Sequence, residues 1–161
     1  MSISIRQARP ADAQTIYDMI YELAVYEKAP EEVVTTPEEI RETLFGAESK
    51  TEALICEVNG ATVGYAVFFS SYSTWLGRNG IYLEDLYISP DARGNGAGKA
   101  LIRHIAQLAV QRRCGRLEWS VLDWNQPAID FYKSIGAEPQ SEWVRYRLAG
   151  DALVNFAEGG K

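Results

Sequence analysis

The sequence predicts an α+β domain: a mixed, mostly antiparallel twisted sheet with four helices on its faces. Three observations predict it. Strand-like and helix-like runs alternate in the order β-α-α-β-β-β-α-β-α-β. Asn59-Gly60, the strongest short hairpin signal, joins two of the strand runs and makes them antiparallel. A single strand, helix, strand unit between Ile81 and Val121 requires a right-handed parallel crossover, while the rest of the sheet is free to be antiparallel. The 161 residues, 47% of them hydrophobic, supply one core, so a single domain over residues 1–161 is expected.

Ile3-Ser-Ile-Arg-Gln7 alternates apolar and polar residues as a short strand does. Pro10 then opens a helix to about Tyr26, in which Ile16, Met19, Ile20, Leu23 and Ala24 form one apolar stripe. A polar loop with Glu27, Glu31 and Glu32 follows. Thr36-Pro37-Glu38-Glu39 starts a second, shorter helix with Thr as N-cap, Pro in the first turn and Glu three after the cap; it ends near Gly46. Residues 53–58 and 62–70 are the hairpin strands. Residues 70–80 read as a loop that carries Tyr72 and Trp75, and residues 81–88 as the next strand. After a glycine-rich turn, residues 98–113 repeat Leu101, Ile105 and Leu108 as a helix. Residues 116–121 are a strand, Asn125 caps a helix that Gly136 stops, residues 143–148 are a last strand, and the tail beyond frays.

Composition excludes several function classes. No window resembles a membrane span, and residues 1–12 have neither a basic start nor an apolar signal core, so the cytoplasm is the expected site of action. Cys56 and Cys114 lack a Cys-x-x-Cys spacing and make neither a disulfide framework nor a zinc site; no metal is expected. A net charge of -6 argues against nucleic-acid binding, which rests on neutralising phosphates. Residues 1–57 hold twelve acids and five bases, so a site built from this third favours a cation.

Two segments carry the chemistry. In the first, a strand ending Glu84-Asp85-Leu86-Tyr87-Ile88 passes through Arg93-Gly94-Asn95-Gly96-Ala97-Gly98-Lys99 into a helix. Glycines at every second position let successive N–H groups point outward, and the helix start adds partial positive charge: an anion cradle suited to a pyrophosphate, flanked by Arg93 and Lys99. Its spacing matches neither a Walker loop nor a dinucleotide fingerprint. In the second, Asn125-Gln126-Pro127-Ala128 opens a helix in which Phe131 faces a core and Tyr132 points away from that face.

Together the segments resemble the GNAT acetyltransferase superfamily. Arg93-x-x-Gly96-x-Gly98 matches its acetyl-CoA signature, and Asn125…Ala128…Phe131-Tyr132…Gly136 its second motif. Glu22…Tyr26-Glu27, Trp75-Leu-Gly77, Tyr82-Leu-Glu84-Asp85 and Asp123-Trp124-Asn125-Gln-Pro127 resemble, over nearly the whole chain, the spermidine/spermine (diamine) N-acetyltransferases and their thialysine-acetylating branch. The resemblance implies a sheet of six or seven strands, splayed at the crossover pair, with acetyl-CoA in the splay, and a homodimer.

It also implies roles. Backbone groups of Leu86, Tyr87 and Ile88 hold the pantetheine arm. Arg93, Gly94, Asn95, Gly96, Ala97, Gly98 and Lys99 hold the pyrophosphate, with Asn125, Gln126, Pro127 and Ala128 also at the cofactor. Tyr132 protonates the leaving thiolate, and the Leu86 N–H is the oxyanion donor. Glu84 accepts the proton of the amine, whose ordinary pKa near ~10.4 leaves it without a lone pair. Tyr26, Glu27, Trp75, Glu84, Asp85, Glu118, Trp119, Ser120 and Glu142 are expected around the acceptor, a polyamine, diamine or thialysine-like amino acid attacked directly in a ternary complex. Alternatives are a GNAT acting on a peptide or protein lysine or an antibiotic amine, and a non-catalytic acetyl-CoA sensor; retention of both Glu84 and Tyr132 counts against the sensor.

Overall fold

A computed structural model describes residues 2–160. The chain forms two compact units, Met1–Leu122 and Asp123–Lys161. The first contains a five-stranded sheet in the order β1-β2-β3-β4-β5, formed by Ile3–Gln7, Thr51–Val58, Ala61–Ser73, Arg78–Ile88 and Leu117–Trp119. The first three pairings are antiparallel, and β4 with β5 is parallel, as the crossover rule requires.

Local chemistry sets the element ends. Asn59 and Gly60 take φ of 52° and 83°, the two left-handed positions of a tight hairpin turn, and Val58 pairs with Ala61 across it. Thr36 caps α2 (Pro37–Phe45): its Oγ1 accepts from the Glu39 N–H at 3.1 Å. A turn at Pro10–Asp12 leads into α1 (Ala13–Tyr26), and Gly96, at φ 88°, precedes α3 (Ala97–Gln111).

Alternation along the strands separates two cores. On one face Ala53, Ile55, Tyr65 and Tyr87 pack with Ile16 and Met19 of α1, and with Ile40, Leu44 and Phe45 from the end of α2 inward. Leu54, Cys56, Ala66 and Phe68 point to the other face, where α3 buries Leu101, Ile102 and Ile105. Each such fully buried large side chain contributes about 1.5–3 kcal/mol relative to exposure.

Five expectations need correction. Residues 70–80 are not a loop: β3 continues to Ser73 and β4 begins at Arg78, with the Phe69 and Tyr82 rings 5.5 Å apart on paired positions. The strand at 116–121 is shorter, Leu117–Trp119. Residues 143–148 form no strand, because alternation becomes a strand only where a neighbour supplies a ladder, and none pairs with them among the described residues. The sheet so described has five strands rather than six or seven. The tail is helical, not frayed: in the second unit α4 (Gln126–Ser134) is followed by α5 (Gly150–Ala157), giving five α-helices among the described residues rather than four. Gly159, at φ 93°, closes α5 by letting Gly160 N donate to Asn155 O at 2.8 Å.

Candidate functional site

The site begins with an irregularity in β4. Val67 pairs with Asp85 and Phe68 with Leu83, so Glu84 is an extra residue, a β-bulge. The bulge reverses the alternation. Leu83 lies on the α3 face, but Asp85 joins Tyr65 and Tyr87 on the α1 face, while Glu84 is exposed.

The bulge also redirects the backbone. Gly115 N donates to Asn79 O, and Ile81 N to Arg116 O, each at 3.0 Å, so the odd positions before Glu84 face β5. Beyond it Ser89 N donates to Val63 O at 2.7 Å, so the odd positions there face β3. The peptide groups of Leu86 and Ile88 are thereby turned to the side away from β3. β5 pairs with β4 only from Ile81 to Leu83, so the crossover pair parts at the bulge, as a splay. Arg93 Nε takes the Ile88 carbonyl at 2.8 Å.

The glycine turn follows. Gly94 and Gly96 have φ of 85° and 88°, and a Cβ on either meets nothing within 4 Å, so the turn needs glycine for its backbone path rather than for space. Gly98 is different: it lies inside α3, with its Cβ direction 3.6 Å from Ile88 Cγ1. Ala97 is buried, Lys99 is exposed, and Asn95 Oδ1 is a buried acceptor without a partner. A left-handed turn that turns its N–H groups outward and feeds a fifteen-residue helix fits a bound phosphate group.

Arg93 does more than flank this turn. Its guanidinium carbon lies 5.4 Å from the Tyr26 ring centre and 5.6 Å from that of Tyr87, linking the turn to the C-terminal end of α1. Glu27 follows there. Surrounding protein pushes the Glu27 carboxyl above its ordinary range, and the charge of Asp85 adds to that. Asp85 is half-buried; burial pushes its carboxyl up, the hydrogen bond from Tyr65 Oη at 2.9 Å pulls it down, and Glu84 pushes it up again.

The structure thus brings together Tyr26, Glu27, Glu84, Asp85, Tyr87 and Arg93. It does not bring Trp75 to them: Trp75 is 79% exposed at the tip of the β3–β4 hairpin, with the Arg78–Leu83 arm of β4 between it and Glu84. Glu118 and Trp119 lie on β5 next to the parting of the pair, and Ser120 Oγ is 2.8 Å from Tyr82 Oη. In the second unit Asn125 stands at the N-cap of α4, followed by Gln126, Pro127 and Ala128, and the Tyr132 ring is 5.7 Å from that of Phe131. Glu142 is exposed in the segment after α4. Tyr65 is the site residue that sequence reasoning missed. A tyrosine in an apolar strand reads as core, and the available signal was the need of a buried hydroxyl for a partner.

Among the described residues no group of acids, histidines and cysteines is arranged to hold a metal, and no helix is long and apolar enough to cross a membrane.

Residues 14–137 match the model of the Acetyltransferase (GNAT) family. A thialysine N-epsilon-acetyltransferase of Bos taurus is 39% identical, over 96% of this chain and 97% of that protein. An L-ornithine N5-acetyltransferase of Arabidopsis thaliana is 29% identical, over 92% of this chain and 85% of the relative. The solved structure of an integron cassette protein from the V. cholerae mobile metagenome superposes with a TM-score of 0.82 at 26% identity, covering 98% of this chain and 99% of that one.

Proposed function

The chain belongs to the acetyltransferase (GNAT) family and is an N-acetyltransferase; from that premise we propose that it acetylates the side-chain amine of a small cationic acceptor, a thialysine-like amino acid or a di- or polyamine, with acetyl-CoA as donor. The observation that carries the proposal is the Glu84 bulge, which sets an acidic group, Asp85 with Glu27, beside the parting of β4 from β5 and next to the glycine turn.

Acetyl-CoA supplies the activated acetyl thioester. Gly94 to Lys99 hold the pyrophosphate through turn N–H groups and the start of α3, and the backbone groups of Leu86 and Ile88 that face away from β3 are the partners for the pantetheine arm, the Ile88 carbonyl being shared with Arg93. The Leu86 N–H donates to the acetyl oxygen as charge grows there. Glu27 and Asp85 bind the cationic acceptor. An exposed carboxylate on the bulge, Glu84 takes the proton the amine must lose before nitrogen can attack, directly or through a water. As the C–S bond breaks, Tyr132 gives its phenolic proton to the thiolate, and the second proton that the attacking nitrogen sheds passes through solvent to restore the phenol, leaving an amide and a free thiol. The preference for an amino-acid amine is supported by the names of the thialysine and ornithine relatives.

A thiol-release assay with acetyl-CoA against thialysine, lysine, ornithine, spermidine, spermine, putrescine, an aminoglycoside and a basic peptide tests the reading. Release confined to the small amines is expected. Turnover only with the peptide or the aminoglycoside overturns the acceptor assignment, and no heat on titrating the protein with coenzyme A overturns the donor.

A further inference from the structure

We propose that Tyr65 is a positioning residue for the acceptor: its buried phenol fixes both the direction and the ionised state of the Asp85 carboxylate. The inference rests on the reading of Asp85 as part of the acceptor seat.

Tyr65 is 0% exposed, and its Oη lies 2.9 Å from Asp85 Oδ2. The contact is diagonal. Tyr65 sits opposite Tyr87 and Val67 opposite Asp85, so the phenol reaches along the sheet from one rung to the next. It exists because of the bulge. Were Glu84 an ordinary rung of the ladder rather than a bulge, Asp85 would continue the alternation of Ile81 and Leu83 and face α3, away from Tyr65.

Tyr65 acts as a donor. Burial first, and then the charge and hydrogen bond of Asp85, raise its phenol well above the ordinary tyrosine range, so it keeps its proton at any working pH. The other groups around Asp85 are Glu84, its neighbour on β4, and Glu27 at the C-terminal end of α1; both are acids. Tyr87 stands with its ring 6.3 Å from that of Tyr65, and the positive charge nearby, Arg93, lies over the Tyr87 and Tyr26 rings and is hydrogen-bonded to Ile88. Burial and Glu84 both favour a protonated Asp85. The Tyr65 hydrogen bond opposes them, and a protonated Asp85 attracts no ammonium group.

The test is Tyr65→Phe, which keeps the ring and removes the donor. In protein carrying 13C-carboxyl aspartate, with the Asp85 resonance identified by its loss in Asp85→Asn, the Asp85 titration midpoint is expected to rise by about one to two pH units, the amount a hydrogen bond to a charged group supplies. The acid limb of kcat/KM for the amine is expected to move the same way, with KM for the amine raised at neutral pH and KM for acetyl-CoA unchanged. An unmoved Asp85 midpoint overturns the proposal. A moved midpoint in a protein that acetylates no amine overturns the acceptor reading instead and leaves the Tyr65–Asp85 coupling standing. If Tyr65→Phe does not fold, 3-fluorotyrosine at position 65, a stronger donor, is expected to lower the midpoint, and no shift there overturns the proposal equally.

Discussion

The guanidinium of Arg93 lies against the ring of Tyr26, 5.4 Å from its centre, while Arg93 Nε holds the carbonyl of Ile88 at 2.8 Å. One side chain therefore ties the mouth of the glycine turn to the end of α1 that precedes Glu27. Lysine at 93 keeps the charge but loses the planar stacking and the Nε donor. Arg93→Lys is expected to raise KM for both acetyl-CoA and the amine by roughly tenfold, about 1.4 kcal/mol each. Initial-rate kinetics with each substrate varied check this; a change confined to acetyl-CoA means that Arg93 serves the phosphate alone.

Tyr132 carries the proton for the departing thiolate in the proposed chemistry. Tyr132→Phe is expected to lower kcat by roughly 10²-fold or more while coenzyme A binding, followed by calorimetry, stays nearly intact. Undiminished turnover removes Tyr132 from the reaction.

Glu84 occupies the extra position of β4 and is exposed. Glu84→Gln keeps the side-chain length and the bulge, so the fold is expected to stand, while kcat falls by roughly 10²-fold and the rate recovers toward high pH, where free amine needs no base. A variant with unchanged rate and pH profile shows that solvent takes the proton.

How much of this was legible in the sequence differs from element to element. Asn59-Gly60, Thr36 as an N-cap and the stripe Ile16, Met19, Ile20 and Leu23 are signals written within a few residues, and the structure uses them as read, although Glu39 contributes its backbone N–H to Thr36 and does not close a reciprocal capping box. Glu84 was legible as an acid in an apolar strand, but its place as a bulge was not, because a bulge is a mismatch between two strands, Val67-Phe68 against Leu83-Glu84-Asp85. Tyr65 was hidden for the same reason: its partner lies twenty residues away and is set by register. Trp75 is expected at the acceptor from the resemblance, on a loop at 70–80; the strands continue instead and carry it to the hairpin tip. Residues 143–148 alternate well enough for a strand, yet alternation does not say whether a neighbour is present.

Gly96 is in the left-handed region at φ 88° with nothing within 4 Å of a Cβ. The cost of Gly96→Ala is therefore conformational rather than steric, about 1–2 kcal/mol. Urea denaturation is expected to show that loss, and coenzyme A affinity is expected to fall with it, because the turn's N–H groups no longer converge. Gly98→Ala serves as the control. Its Cβ reaches only ordinary contact with Ile88 inside a helix, so stability is expected to be unchanged or slightly raised.

Asp12 joins β1 to the start of α1. Arg6 donates to both its oxygens, at 2.8 and 2.9 Å, and the Arg9 N–H donates to Oδ2 at 2.7 Å. The Arg6 hydrogen bonds hold the Asp12 carboxyl below its ordinary range of about 3.8; burial opposes them and the Arg9 N–H adds to them. A carboxyl whose folded value is depressed contributes stability above its unfolded value and loses it as pH falls through the folded one. Asp12→Asn keeps the shape and removes the charge, so near neutral pH it is expected to cost about 1–3 kcal/mol. The difference between wild type and variant, followed by urea unfolding at successive pH values, is expected to shrink as pH falls from the ordinary carboxyl range through the depressed folded value of Asp12, below which both carry a neutral group. A difference that stays constant over that window means that Asp12 acts through shape and hydrogen bonding alone, with no contribution from its charge.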